Sequence, residues 1–337
     1  MPELAARVLA AVTPSMRLIP RVAGPGEERP PDPGSPPRAG TLARMVDLRL
    51  DEMRAAAGLG VAGNFAGHLE QAGEASDFAD VVSPADAPKG VFPWYVPGSD
   101  SFLGTFPLSS SRLHQPPPDA PGELQIEPEA GVLCAVEYDA EGRVAGLSPR
   151  ALGAFNDCSI RRPGAAKISH KKNWGPGSKG LAVRCFELSD LEGDGALATL
   201  RLAAFLRRDG QVHAYGLDSP LAGYSYAGRR LLDWMIGCLR EQAGGAGSPL
   251  EPVGDYLAAA GCPDRALVGI GATRYTPYGE TTFLRPGDES IVVVYDGDAT
   301  GPGQVVSMVA AGREDDLPAA SVLRQLVVPP ANGRSGG

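Results

Sequence analysis

Glu127 and Glu129 open the stretch LQIEPEAGVLCAVEYD, residues 124 to 139, just ahead of an apolar run at 132 to 136. That run reads as a buried strand. On a strand, residues two apart point to one face, ~6.6 Å apart along the chain. The two carboxylates therefore converge, and like charges in one place repel. Either a positive group sits between them or the face is wet. Alone, the pair is equally what a solvated strand end would show.

The elements that must hold this pair are mostly strands. They are expected at 130 to 138, 181 to 188, 200 to 206, 266 to 272 and 290 to 296. Asp209-Gly210, within RRDGQVH, is the residue pair of a tight hairpin turn. The strongest helix is 227 to 242, with Leu231, Leu232, Met235 and Leu239 on one face. A second helical pattern covers 42 to 57 and ends near Gly58 and Gly60. There is no internal repeat and no regular strand–helix alternation, so the class is α+β, rich in strand. Residues 1–50 read as an N-terminal extension, because 23 to 40 (AGPGEERPPDPGSPPRAG) is a Pro/Gly-rich linker that cannot bury enough surface to fold. Residues 51–328 form the folded domain, and 329–337 a disordered tail.

Composition removes several functions. The chain has 337 residues and a net charge of -9, which argues against a nucleic-acid groove or an anionic membrane surface as partner. Five scattered cysteines without a CxxC pair read as reduced thiols, not as a disulfide or zinc framework. No apolar run approaches the roughly 18 to 20 residues of a membrane span. The N-terminal LAARVLAAV is short and charged at its flank, which argues against a signal peptide. A cytoplasmic protein is expected.

Four segments, in order, resemble those of the fumarylacetoacetate hydrolase-like enzymes, as a divergent bacterial branch. GNFAGHLEQAG (63 to 73) resembles their G-x-N-Y-x-x-H-x-x-E segment, and IEPEAGVLCAV their E-x-E strand. AFNDCSIRR (154 to 162) resembles N-D-V-S-x-R, and GIGATRYTPYGETTFLRPGDESIVVV (269 to 294) their T-G-T-P-x-G loop, turn and strand. The resemblance covers about residues 60 to 300. It departs at Pro128, between the glutamates, and at GATR, where the family has GTP.

The resemblance implies a mixed β-roll of the family's C-terminal type, with 51–328 as its catalytic domain and a homodimer as the assembly. It also implies a divalent cation on Glu127, Glu129 and Asp157. The chemistry agrees: three carboxylates without histidine or thiolate companions suit Mg2+ or Mn2+. The implied substrate is a small 2-oxo or 2,4-dioxo carboxylate, reacting through an enolate by C–C bond cleavage (hydrolase, decarboxylase) or by tautomerisation or hydration. The other reading is a non-catalytic metal- or ligand-binding relative of the same fold. Alignment places the family's lysine at Lys171, with Lys167 and Lys172 close by, Arg161 where it would grip a substrate carboxylate or form an ion pair, and Thr273 on a ligand carboxylate. His114, His170 and His213 have no motif around them, and GPGSKG lacks Walker A spacing.

One departure touches the chemistry directly. His68 is present, but Gln71 stands where the family has its glutamate. Glu70, two residues on, would turn about 200° from His68 on a regular helix. Glutamine orients a water but cannot take its proton. Unless the helix is irregular enough for Glu70 or Glu74 to reach in, water activation is weak, which favours decarboxylation or tautomerisation over hydrolysis.

Overall fold

The computed structural model describes residues 44–331, apart from 66, 79, 80, 82, 85, 121, 163, 164, 192–195 and 246. The linker and most of the terminal segments inferred above lie outside the described residues. Everything that follows belongs to one unit, Leu42–Gly337.

Among the described residues, nine strands make a mixed sheet. Its main path runs Met45–Asp47, Arg184–Glu187, Val144–Asn156, Pro128–Tyr138, Arg265–Gly269, Ala57–Ala62 and Gly90–Tyr95. Arg265–Gly269 pairs parallel to Ala57–Ala62 and antiparallel to Pro128–Tyr138. A second sheet, Gln211–Pro220, Leu200–Arg208, Glu289–Asp296, Ala320–Val328 and Arg112–His114, packs against it. One core joins them: Leu59, Val132, Leu152 and Val268 from the first sheet meet Leu202, Val292, Val294 and Leu323 from the second. The helix Gly228–Glu241 adds Leu231, Leu232, Met235 and Leu239 to the same core. The class is α+β, with the strands dominant.

The central strands read as near-continuous apolar runs because both faces are covered. In Glu289–Asp296, Val292 and Val294 face the shared core, while Ile291, Val293 and Tyr295 pack under Val305 and Val309 of the helix Pro302–Ala310. The Asp209-Gly210 turn forms with φ of 52° and 78°, joining Arg208 to its partner Gln211. Both central residues lie in the left-handed region, as a two-residue hairpin of this twist requires. No helix among the described residues is long and apolar enough to cross a membrane.

Three expectations change. The helical reading of 42 to 57 fails: Met45–Asp47 pairs with Arg184–Glu187, a short 3-10 turn spans Glu52–Ala55, and a strand begins at Ala57. The folded region therefore starts before residue 51. Gly58 and Gly60 end no helix. They sit inside that strand, where a Cβ would come within 2.3 Å of the Trp94 ring and 2.2 Å of the Phe92 ring. Those rings lie across the strand only because glycine is there. The expected strand at 181 to 188 is two strands, Lys179–Leu181 and Arg184–Glu187.

Candidate metal centre

A hairpin brings the carboxylates together. Pro128–Tyr138 and Val144–Asn156 pair with Pro128 opposite Asn156 and Glu129 opposite Phe155. Asp157 follows directly, its backbone N–H donating to the Glu127 carbonyl at 3.0 Å. Pro128, having no N–H to give, takes the first position of its strand, where a proline is tolerated. The Asn156 side chain accepts from the Glu127 N–H at 3.2 Å and donates to Gln325 at 3.0 Å, so it braces the open end of the hairpin.

Glu127, Glu129 and Asp157 are all buried, and one oxygen from each lies within 4.8 Å of the others. Glu129 Oε2 accepts from the Gly271 N–H at 3.0 Å and occupies space that a Cβ on Gly269 would invade, at 2.4 Å. Glu127 Oε1 lies 2.8 Å from Arg161 Nη2 and Asp157 Oδ1 3.3 Å from Lys179 Nζ, yet neither oxygen receives a hydrogen bond of proper geometry. Buried carboxylate oxygens without donors, in a set of three, fit a hard divalent cation. Glu127, Glu129 and Asp157 would hold it.

Lys172 supplies the positive charge that the converging glutamates demand. Its Nζ donates to Glu127 Oε2 and to Asp157 Oδ2, both at 2.6 Å, and lies 5.2 Å from the centre of the Phe92 ring. Alignment favoured Lys171, but that ammonium goes to Glu74 Oε1 at 2.8 Å. Lys167 is turned away and donates to the carbonyls of Gly245, Ser248 and Leu250. Sequence reading missed Lys179, fully buried and donating to the Asp157 and Cys158 carbonyls at 3.1 and 2.6 Å. Its only signal was its place in GPGSKG, two residues past a left-handed glycine, Gly177.

The charges set the protonation states. Burial pushes Glu127 up, but Lys172 and Arg161 outweigh it and hold this carboxyl well below the usual range. Glu129 makes no ion pair of its own among the described residues, and burial, Asp157 and Glu127 leave it raised against the weaker pull of Lys172 and the Gly271 N–H. Burial also raises Asp157, which Lys172 and Lys179 offset only in part. Repulsion within the cluster thus falls on Glu129 and Asp157 and spares Glu127.

His68 and Glu74 complete the lining. The helix carrying His68 is only four residues long, His68–Gln71. Gly73, at φ 69°, turns the chain so that the Glu74 N–H returns to the Leu69 carbonyl and its side chain points inward. Glu70 is exposed. Gln71 is engaged with the Tyr275 backbone: its Oε1 accepts from the N–H at 2.9 Å and its Nε2 donates to the carbonyl at 3.3 Å. The carboxylate absent at position 71 therefore arrives from position 74. Burial raises Glu74 too, but Arg161 and Lys171 bring it net below its ordinary value.

His68 Nδ1 lies 2.9 Å from the Thr273 carbonyl, which can only accept, so Nδ1 carries the proton. Burial lowers the ring's pKa. The neutral ring thus keeps its Nε2 lone pair free to take a proton. Arg161 donates to Gln125 at 2.6 Å, Glu74 at 2.5 Å and the Tyr275 hydroxyl at 2.9 Å, which makes it an internal tie and not an open carboxylate clamp. The Thr273 hydroxyl is buried without a partner. The cavity lined by His68, Glu74, Glu127, Glu129, Phe92 and Lys172 measures about 20 Å³, room for about one water-sized group.

Fold and site together define a strand-rich α+β protein built around a buried three-carboxylate centre. Residues 74–327 match the model described as Family of unknown function (DUF5718), and the chain belongs to that family. No curated protein matches it. Among solved structures it is similar to a 2-keto-3-deoxyarabinonate dehydratase, with 12% identity over 82% of this chain and 74% of that one, at a TM-score of 0.43. A 5-carboxymethyl-2-hydroxymuconate delta-isomerase from Mycobacterium smegmatis shares 16% identity over 82% and 80%, at 0.41. A yeast fumarylacetoacetate hydrolase family protein shares 11% over 85% and 98%, at 0.43.

Proposed function

We propose that this protein is a divalent-metal-dependent enzyme that acts through an enolate on a small 2-oxo or 2,4-dioxo carboxylate, most directly by cleaving a carbon–carbon bond. Tautomerisation and hydration use the same enolate. The observation that carries the proposal is the set of buried oxygens on Glu127, Glu129 and Asp157 beside a neutral His68 with Nε2 free. Mg2+ or Mn2+ held there supplies charge stabilisation where a carbonyl oxygen becomes negative, worth several kcal/mol.

The chain's own residues do the rest. His68 moves the proton at Nε2, with the Thr273 carbonyl fixing the ring at Nδ1. Lys172 holds Glu127 and Asp157 in place and limits their mutual repulsion. Glu74 keeps a negative charge near the imidazole, stabilising its protonated form in the transition state. This restores the carboxylate that a hydrolytic step would use. The Thr273 hydroxyl is the unengaged donor for a substrate carboxylate. A homodimer belongs to the same proposal, and light scattering of the eluted protein checks it.

The small cavity favours a second reading, a metal-binding relative without turnover, because no substrate of several carbons fits in about 20 Å³. A screen of 2-oxo and 2,4-dioxo acids with and without Mg2+ or Mn2+, followed by ultraviolet loss of the enol, separates the two. Metal-dependent loss of signal with at least one acid is expected. Metal binding by calorimetry with no turnover of any acid would establish the second reading.

A further inference from the structure

A second cavity, of about 450 Å³, opens on the other side of the turn that carries the site lysines. Its wall includes Phe102, Ser169, His170, Glu251, Tyr256 and Ala260. The volume falls in the range of small-molecule sites. Ser169 and His170 belong to the 3-10 turn Ile168–Lys171, so the two cavities share one short element.

Glu251 is the unusual residue. It is 2% exposed, and no cation among the described residues pairs with it. Neither Oε1 nor Oε2 receives a hydrogen bond of proper geometry, although the hydroxyl and N–H of Ser169 lie beside it. Buried carboxylates in folded proteins are almost always paired, since an uncompensated one is costly. Burial lifts this carboxyl to about 7, and nearby Ser169 and Lys167 offset only part of that rise. Lys167 lines the cavity too, but it already donates to the Gly245, Ser248 and Leu250 carbonyls at 2.9, 2.8 and 2.8 Å. An ammonium has three protons to give, so none is left for Glu251. The cavity's other charged acid, Asp100, is exposed at the rim.

We propose that this cavity binds a small organic cation, an ammonium on an aryl or alkyl body, with Glu251 as its counter-ion. Three aromatic groups suit the body: Phe102 and His170 meet edge to face at 5.5 Å, and Tyr256 lines the same cavity. Aromatic faces attract a cation held near them. Glu251 and Asp100 outnumber the one lining lysine, so the field favours a positive ligand. Ser169 offers a hydroxyl beside the carboxylate.

The test is calorimetric titration of the full chain at pH 8 with phenethylammonium, and with phenethyl alcohol as its neutral analogue. Saturable one-to-one binding of the amine is expected, with the alcohol about tenfold weaker or more, the usual worth of a hydrogen bond to a charged group. Glu251→Gln should weaken the amine by a similar factor and leave the alcohol unchanged. Ala260→Trp fills the cavity while keeping Glu251, and it should abolish binding of both. Both variants are first checked for a cooperative thermal transition. If Glu251→Gln does not fold, Ala260→Trp and the amine-to-alcohol ratio decide. No saturable binding, equal affinity for amine and alcohol, or full affinity in a folded Glu251→Gln or Ala260→Trp protein overturns the proposal.

Discussion

Two buried acidic regions lie on either side of the turn Ile168–Lys171, and they are built in opposite ways. At the hairpin end, Glu127, Glu129 and Asp157 crowd together but are answered by Lys172, Arg161 and Lys179, with about 20 Å³ left between them. At the second region a single carboxylate, Glu251, stands without an ion-pair partner at the wall of about 450 Å³. Charge compensation and open volume trade places. The first region is stabilised by its own residues and admits a compact ion. The second leaves its charge for something that comes from outside.

The largest effect that separates them concerns turnover. His68→Ala should lower turnover on the responsive 2-oxo acid by about 10²- to 10⁴-fold, the typical worth of general acid–base help. Glu70→Gln should leave it nearly unchanged, because Glu70 is exposed. Steady-state kinetics at saturating metal checks both. Equal losses in the two variants would mean that the helix presents another face in solution.

Next in size is stability. Glu127→Ala removes one of the two carboxylates that answer Lys172 and one of the two that answer Arg161. It should cost about 3 kcal/mol, the low end for a broken buried pair, because Asp157 and Glu74 remain. Glu251→Gln, by contrast, removes a buried charge with no paired cation and should be neutral or stabilising. Urea unfolding of both variants, without metal, tests the contrast directly. Similar destabilisation by the two would erase it.

The pH dependence sharpens the same point. Glu251 has a folded pKa of about 7, above its ordinary 4.5. Between those values the folded state binds more protons than the unfolded one, so stability falls as pH rises through that window and levels above it. The contribution is on the order of 3 kcal/mol. Subtracting the Glu251→Gln profile from wild type should isolate this fall. A flat difference between pH 4.5 and 7 would show that the carboxylate finds a partner.

The smallest expected effect is metal linkage. Mn2+ at 100 times its Kd should stabilise the folded protein by about 2.7 kcal/mol. Glu129→Gln should remove that gain without the cost seen for Glu127→Ala, since Glu129 has no cationic partner. Thermal melts with and without Mn2+ check it.

Much of this was legible in local sequence. Strand runs, the Asp209-Gly210 turn, the helix face of Leu231, Leu232, Met235 and Leu239, and the converging pair Glu127 and Glu129 all follow from periods of two or 3.6 residues and from turn chemistry. These are properties of neighbours along the chain, so the chain alone determines them. The misreadings at Gly58 and Gly60 arose because the rings they admit, Trp94 and Phe92, come from a strand more than thirty residues away.

Tertiary structure alone decided which charged groups meet. Lys167, Lys171, Lys172 and Lys179 are indistinguishable by type. Lys172 is selected because its partners, 45 and 15 residues away, lie at the end of a hairpin that turns them toward it. Glu74 enters through the left-handed turn at Gly73, a backbone state that helical spacing does not register. Glu251 became an unpaired buried acid only when the turn Ile168–Lys171 and the helix Val253–Ala259 closed around it. Long polar side chains find their partners across distances that periodicity cannot measure, and burial then fixes what each encounter costs or stabilises.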